Sequence, residues 1–275
     1  MNFFKTSILL VVLTGLFIGA GYLVGGQSGM LIALALGIAA NVGMYFAGQT
    51  MALSMARAEP MPRSFAPWLF EANEKLCQRA GIPVVPLYLS PDPQPNAFAC
   101  GRGPGKAAVC INQGLIDSMP PREVIGVLAH ELSHVKNRDT LTMTIAAAVG
   151  SAITYLSYFG LFFGGGSRRD NGWAVLLLWI LGPIAAMLIQ LAVSRSREYA
   201  ADASAAQLMN DGSPLADALE SLSNQTERIP SATAQPTMAH MYIANPLKGE
   251  SIASLFSTHP PMNERIRRLR AFNPS

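Results

Sequence analysis

The sequence predicts a mainly α-helical integral membrane protein with a small β-hairpin or sheet in its polar parts. Half of the 275 residues are hydrophobic and only 13% are charged, whereas an average soluble domain has about 25% charged residues. Four uncharged apolar stretches are each long enough to cross about 30 Å of hydrocarbon. The polar parts combine helical periodicity with one hairpin pattern. Together these observations predict four transmembrane helices and a folded polar domain.

The composition also excludes several classes of protein. The formal net charge is +3, from 20 Lys and Arg against 17 Asp and Glu, which is too small for the basic surface of a nucleic-acid-binding protein. The high apolar content excludes intrinsic disorder. The cysteines Cys77, Cys100 and Cys110 cannot all pair and form no CxxC motif, which argues against a disulfide framework or a zinc ribbon. We therefore expect the lipid bilayer, and no nucleic acid, as a partner.

The four apolar stretches are predicted to form two transmembrane hairpins. The first two are separated only by the polar pair Gln27 and Ser28, and no small-residue cleavage site follows Lys5, so a cleaved signal peptide is the weaker interpretation. Several Ser and Thr residues make the third stretch rather polar, and full crossing by the second pair stays open. The stretches are Ser7 to Gly26, Met30 to Leu53, Leu141 to Gly166, and Trp173 to Val193.

The basic residues near the ends of these stretches predict the orientation. If all four stretches cross, seven basic residues fall on one side and two on the other, which places both termini in the cytoplasm. The chain then divides into a transmembrane hairpin (1–53), a cytoplasmic part (54–140), a second hairpin (141–193) and a second cytoplasmic part (194–275). The two cytoplasmic parts can fold as one domain. The seven residues are Lys5, Arg57, Arg63, Lys136, Arg138, Arg195 and Arg197, and the two are Arg168 and Arg169.

Periodicity and turn residues predict the elements of the first cytoplasmic part. A helix over 66–80 stops at Gly81, because glycine adopts the left-handed conformation that ends helices. A strand is predicted over 84–89 and a β-hairpin over 96–100 and 107–112. A longer helix begins at Pro121 and runs through Val135. We expect Asn137 and Asp139 to close this helix and brace whatever site it bears.

Two helices are predicted in the second cytoplasmic part. One runs from Ser213 to about Arg228, and Pro261 opens the other. In the last helix the apolar Ile266 and Leu269 are expected to face inward. Its four arginines, Arg265, Arg267, Arg268 and Arg270, are expected to be largely solvated.

The segment His130-Glu131-Leu132-Ser133-His134 matches the HExxH pattern inside the helix that begins at Pro121. Helical residues four apart share a face, so both imidazoles can reach one zinc ion at about 2.0 to 2.1 Å. Glu131 then points toward a water at the metal. Catalytic zinc usually has three protein ligands and one open position, so a third ligand must come from elsewhere in the chain.

Glu198 is the preferred candidate for the third ligand. It is predicted to lie on a helix with Asp202 one turn later, so Glu198 can bind the metal while Asp202 accepts the free N–H of a ligand imidazole. The remaining histidines, His240 and His259, are the alternatives. Without the HExxH motif, a salt bridge from Glu198 to Arg195 or Arg197 would be the simpler interpretation.

Four segments of this chain resemble the signature blocks of the HtpX-type bacterial membrane metalloproteases, and the resemblance covers essentially the whole chain. They are HELSHVKNRDT (130–140), SRSREYAADASA (194–205), QPNAFACG (94–101) and FSTHPPMNERI (256–266). The resemblance implies a gluzincin fold, related to the CAAX prenyl endoproteases, with one Zn²⁺ per chain. It further implies an endopeptidase of the bacterial inner membrane whose active site faces the cytoplasm. Its substrates would be misfolded or damaged membrane proteins, cleaved as quality control under stress.

The resemblance also implies roles for individual residues. His130, His134 and Glu198 would bind zinc, Glu131 would act as the general base, and Asp202 would support a ligand imidazole. The segment Asn96, Ala97, Phe98 and Ala99 would be an edge strand that pairs with extended substrate, although an ordinary core strand is the alternative. His259 would donate a hydrogen bond to the oxyanion of the reaction, and a capping or surface histidine is equally compatible with the sequence.

Two other functions compete with this interpretation. An intramembrane protease would have its HExxH motif within the bilayer, but charged residues such as Arg122, Glu123 and Lys136 surround this one. A membrane scaffold or holdase with a structural metal site would need four protein ligands, commonly thiolates. No cysteine neighbours the motif, so the sequence favours an enzyme.

Overall fold

A computed structural model of the chain describes residues 2–141, 143, 195–225, 229, 231, 241–243 and 260–273. Within these residues it contains seven α-helices, a short 3-10 turn and one four-stranded sheet. The second predicted hairpin lies outside the described residues apart from Leu141 and Met143, and His240 and His259 also lie outside them. The mainly helical class with a small sheet, predicted from the sequence, is confirmed for the described part.

The N-terminal segment forms one long helix, α1, from Asn2 to Met55. The prediction that two separate helices meet at Gln27 and Ser28 is wrong, because α1 continues through both residues. Two polar residues without a proline do not suffice to end a helix. Gly26, directly before the predicted turn, has a φ of 59°, a left-handed conformation that glycine adopts at little steric cost.

Among the described residues, the structure contains no helix with the combination of length and hydropathy that a membrane span requires. The membrane crossings stay a prediction from the sequence.

The sheet contains β1 (Glu59–Pro60), β2 (Leu87–Ser90), β3 (Ala97–Gly101) and β4 (Ala107–Asn112), in the order β1-β2-β4-β3. Strands β3 and β4 are antiparallel, which confirms the predicted hairpin. Strand β2 pairs in parallel with β4 and begins only after Pro86, later than predicted. Strand β3 therefore lies at one edge of the sheet.

Six further helices surround the sheet within the described part of the chain. The first, α2, ends at Gly81 as predicted, with a φ of 68° and N–H bonds to Cys77 and Gln78. The short helix α3 was not predicted. The bounds are α2 Pro67–Ala80, α3 Gln113–Ser118, α4 Pro121–Lys136, α5 Arg195–Met209, α6 Ser213–Gln225 and α7 Met262–Arg270.

Alternate residues of β3 pack into two different apolar clusters. Ala97 and Ala99 face the main core, which is built with helices α2, α4, α5, α6 and α7. Phe98 and Cys100 face a second cluster that contains the C-terminal end of α1. Successive strand residues point to opposite faces, so this edge strand is covered on both faces and only its backbone edge is left to make further pairs.

Helix α4 lies at the centre of the main core and packs on α2, α5, α6 and β3. Gly126 allows the close approach of α6, because a Cβ atom there would lie 2.7 Å from the backbone nitrogen of Leu215. The HExxH motif is on the following turns of α4 and is therefore held between β3 and α5.

Helix α7 differs from the prediction in one respect. Leu269 is buried, as expected, but Arg265 is 0% exposed rather than solvated. It lies four residues before Leu269 on the same helical face. Its burial brings a positive charge into the neighbourhood of the HExxH motif.

Candidate metal and catalytic site

Helices α4 and α5 bring three metal-ligand side chains together. The Nε2 atoms of His130 and His134 lie 3.2 Å apart. The carboxylate of Glu198 lies 3.6 Å from Nε2 of His130 and 3.5 Å from Nε2 of His134. All three side chains are buried. The structure thus assembles the three residues that were predicted to bind zinc, from segments 64 residues apart in the sequence (134 to 198).

The spacing of the two Nε2 atoms and the Glu198 carboxylate, of which Oε2 faces His130 and Oε1 faces His134, suits one small metal ion. Four ligands placed tetrahedrally at about 2.0 to 2.1 Å from zinc are separated from one another by about 3.3 to 3.4 Å. The observed separations of 3.2, 3.5 and 3.6 Å bracket that value. Two imidazoles and one carboxylate also form a ligand set found in catalytic zinc sites, where the fourth position is open.

A carboxylate lies behind each imidazole. Oδ1 of Asp202 is 2.9 Å from Nδ1 of His130, and Oδ2 of Asp139 is 3.2 Å from Nδ1 of His134. Such a carboxylate favours the tautomer with its proton on Nδ1, which leaves the Nε2 lone pair directed at the metal position. Asp202 occupies the place predicted for it.

Asp139 reaches His134 through the turn that follows α4. Asn137 donates its N–H to the carbonyl of Ser133 and closes the helix. Arg138 then has a φ of 60°, and the chain turns back so that the N–H of Asp139 bonds the carbonyl of His134. The expectation that Asn137 and Asp139 close the helix and brace the site agrees with these contacts, but the direct approach to His134 could not be deduced from spacing.

Arg265, which the sequence predicts to be solvated, completes the network. Its Nε and Nη2 atoms each donate to one oxygen of Asp202 at 2.8 Å. Its Nη1 atom lies 3.6 Å from Glu198 and donates to the carbonyl of Ile243 at 3.2 Å. The signal that could have revealed it is the position of Arg265 on the apolar face that Leu269 defines.

The charges of the network shift the pKa values of its members. Burial lowers the pKa of His130, but hydrogen bonds to Asp202 and Glu198 outweigh burial and raise it to about 9. Burial raises the pKa of Asp202, but the adjacent Arg265 and His130 bring it down to about 2. In the metal-free protein His130 is therefore held as a cation by the carboxylates that surround it.

Glu131 lies beside the two histidines and is also buried. Burial raises the pKa of its carboxyl group, and the charge of Glu198 acts in the same direction. The backbone of Ala99 forms a hydrogen bond with this carboxylate, while its Oε2 atom has no hydrogen-bond partner among the described residues. A buried carboxylate oxygen without a partner is costly, which is typical of a group that acts on a reactant.

The outer edge of β3 runs past Glu131. The carbonyl of Asn96 accepts the N–H of Asn112 within the hairpin, and in an antiparallel ladder alternate residues bond the same neighbour. Ala97 and Ala99 therefore direct their backbone groups outward. The carbonyl of Ala97 accepts the N–H of Ile243 at 3.3 Å. The segment predicted to pair with substrate thus lies at a sheet edge, but part of that edge has a partner within the chain.

The chain matches known proteins over most of its length. The model of a family described as Peptidase family M48 matches residues 64–273. The chain is 49% identical to a protein named Protease HtpX homolog from Persephonella marina, over 98% of this chain and 96% of that one. It is 46% identical to a protein of the same name from Syntrophobacter fumaroxidans, over 98% of both chains.

A solved structure resembles the fold as well. The crystal structure of S. mikatae Ste24p superposes with a TM-score of 0.52 at 18% sequence identity. The match covers 98% of this chain and 65% of that chain, so the present chain spans about two thirds of its length. At this identity the likeness concerns the fold.

Proposed function

The chain belongs to peptidase family M48 and is a metalloprotease, and we propose that it is a zinc-dependent endopeptidase of the bacterial inner membrane. Its substrates in this proposal are misfolded or damaged membrane proteins, which it cleaves on the cytoplasmic side as part of quality control under stress. The observation that supports the chemistry best is the convergence of His130, His134 and Glu198 on one point.

Zinc is the metal that this ligand set favours. Imidazole and carboxylate ligands at tetrahedral spacing suit zinc better than the oxygen-only, higher-coordination sites of magnesium or calcium. When bound, zinc would polarise the scissile carbonyl and lower the pKa of water toward about 7. His130, His134 and Glu198 would hold the ion, while Asp202 and Asp139 orient the two imidazoles from behind.

Glu131 is the proposed general base. It would take the proton of the attacking water and deliver it to the departing amine. The raised pKa of the Glu131 carboxyl group suits both proton transfers, because a carboxylate that is too weak a base cannot accept the proton from water. The unpartnered Oε2 atom provides the acceptor. His259 is retained as the proposed oxyanion donor on the strength of the family resemblance.

Extended substrate is proposed to add to the outer edge of β3. Strand addition uses backbone hydrogen bonds and tolerates many side chains, which suits an enzyme that must cleave diverse damaged proteins. The backbone of Ala99 bonds the carboxylate of Glu131, so a peptide paired with this edge would pass the proposed catalytic carboxylate. Asn96 precedes the strand and is paired with Asn112, which fixes the register of the hairpin.

The membrane location rests on the four apolar stretches of the sequence and on the distribution of basic residues around them. In this topology α4 and α5 lie on the cytoplasmic side, although the second predicted hairpin separates them in the sequence. Membrane proteins would then be suitable substrates, because they lie in the same bilayer as the enzyme.

The test uses the full chain purified in detergent. We expect about one zinc per chain, cleavage of casein, loss of cleavage on chelation, and recovery on addition of Zn²⁺. In vesicles, a misfolded membrane protein should be cut in its cytoplasmic loops. Bound zinc without cleavage of either substrate would instead favour the scaffold or holdase alternative.

A further inference from the structure

We propose that Arg265 is a positioning residue of the metal site, because its guanidinium group holds Asp202 behind His130 and at the same time holds Ile243 beside the outer edge of β3. This inference rests on the proposed metal-dependent function and assigns to α7, the last helix, a part in building the site. Arg265 would bind neither the metal nor the substrate itself. It pairs with Asp202 and also lies 3.5 Å from Nε2 of His130 and 3.6 Å from Glu198, and it would act by holding these residues in place.

The first observation is the geometry of the pair with Asp202. Two donors of the guanidinium group, Nε and Nη2, bond the two carboxylate oxygens at 2.8 Å each. A bidentate pair of this kind fixes the position and the plane of the carboxylate. Lysine cannot reproduce it, since its ammonium group is a point charge without the planar fork.

The second observation is that Asp202 passes this constraint to His130. The oxygen that accepts from Nη2 of Arg265, Oδ1, is also the one that lies 2.9 Å from Nδ1 of His130. A shift of the carboxylate would therefore turn the imidazole and move its Nε2 atom. Partners of metal-ligating histidines typically affect metal affinity by about 10- to 100-fold.

The third observation concerns the other end of the guanidinium group. Nη1 donates to the carbonyl of Ile243, and the N–H of Ile243 donates to the outward carbonyl of Ala97 on β3. One buried side chain thus connects the support of the metal site with the segment that flanks the edge of β3. A buried cation that served only to join two helices would need the pair with Asp202 but not this second contact.

The test measures zinc affinity of the full chain in detergent by competition with a chromophoric chelator, after circular dichroism has verified folding. Arg265→Lys keeps the charge but removes the fork, and we expect a 10- to 100-fold loss of zinc affinity. The Co²⁺-loaded variant should also show altered visible absorption bands, which report ligand geometry. Arg267→Lys is the matched control, because Arg267 is exposed on the same helix and pairs with Glu264.

A double-variant comparison shows whether Arg265 acts through Asp202. In the Asp202→Asn background, Arg265→Lys should cause little further loss of zinc affinity, because Asp202, the residue that Arg265 positions, has already been replaced. If the two losses multiply, or if Arg265→Lys binds zinc and cobalt like the wild type, the proposal is overturned and Arg265 is a structural residue only.

A fallback variant keeps the test decisive if Arg265→Lys does not fold. Asp202→Asn combined with Arg265→Met removes both charges of the pair, so that neither Asp202 nor Arg265 is left as a buried charge without its partner. Its zinc affinity should match that of Asp202→Asn alone, and a clearly lower affinity would overturn the proposal. These readouts need no proteolysis, so a chain whose zinc affinity depends on Arg265 but which does not cleave casein would refute the proposed function alone.

Discussion

Nδ1 of His130 lies 2.9 Å from Oδ1 of Asp202, while Nε2 of the same ring faces Glu198. We expect Asp202→Asn to lower zinc affinity or activity by about 10- to 100-fold in a folded protein, because an amide holds the imidazole more weakly. Measurements of the zinc content per chain and of the rate of casein cleavage, each compared with the wild type, test this prediction.

Two control variants accompany that experiment. Asp217→Asn removes a carboxylate that pairs with Arg270 at the surface and should change neither zinc content nor cleavage. His240→Ala, at one of the histidines that the sequence offers as an alternative ligand, should also do far less than Asp202→Asn. Equal losses from His240→Ala and Asp202→Asn would show that the ligand environment has been assigned to the wrong residues.

Glu131 and Glu198 should be separable as base and ligand. Glu131→Gln keeps the shape of the side chain and both imidazoles, so zinc should stay bound near one equivalent while hydrolysis falls about 10²- to 10⁴-fold. Glu198→Ala removes a ligand, so metal retention should fall together with activity. Both variants are compared in zinc content and casein cleavage, in extracts prepared without self-cleavage. Wild-type cleavage by Glu131→Gln would refute the assigned base.

The approach of Asp139 to His134 predicts a second supporting carboxylate. Asp139→Asn should weaken zinc binding in the same direction as Asp202→Asn, because its oxygen lies 3.2 Å from Nδ1 of His134. Competition with a chelator measures the effect. Unchanged zinc affinity would mean that Asp139 only closes the turn after α4.

Zinc affinity should increase with pH. The carboxylates around His130 raise its pKa to about 9 in the metal-free protein, so below that pH zinc must displace a proton from the ring. Affinity should therefore rise by about tenfold per pH unit between pH 7 and 9 and then level off. In Asp202→Asn, which loses one of the groups that raise this pKa, the rise should end at a lower pH. A flat profile in the wild type would contradict the assignment of His130 as a cation.

Gly126 should be needed for the packing of α4 on α6. A Cβ atom at this position meets backbone atoms of Pro214 and Leu215 at 2.8 and 2.7 Å, which cannot rotate away. Gly126→Ala should therefore destabilise the fold by about 1 to 3 kcal/mol, seen as a lower melting temperature. Gly105→Ala is the matched control, since a Cβ atom there meets nothing within 4 Å, and an equal loss from it would contradict the packing argument.

The parts of the fold that depend on neighbouring residues could be predicted from the sequence. The hairpin of β3 and β4, the end of α2 at Gly81 and the helical HExxH motif all follow from local patterns. The convergence of Glu198 on the two histidines was predicted from the ligand count that zinc requires, not from any local pattern.

The parts that depend on distant partners were missed. Arg265 is expected in solvent because its neighbours in sequence are arginines, and its burial becomes favourable through partners far away in sequence, chiefly Asp202, 63 residues earlier. The parallel pairing of β2 with β4 has no local signal either. A local pattern can also mislead. Gln27 and Ser28 predict a turn between two helices, but α1 continues through them.

The N–H of Ile243 on the carbonyl of Ala97 has a consequence for encounters between copies of this chain. An exposed strand edge is a template for self-association, and in the proposed binding mode the edge of β3 must stay accessible to extended substrate. At β3, an arriving strand must displace Ile243 from Ala97 and compete with Glu131 for Ala99. In the proposed function, a substrate peptide that also reaches the metal site would offset these losses, whereas the edge of a second copy would gain only backbone bonds. The contacts already made by Ala97 and Ala99 thus disfavour edge-to-edge pairing of two copies at β3.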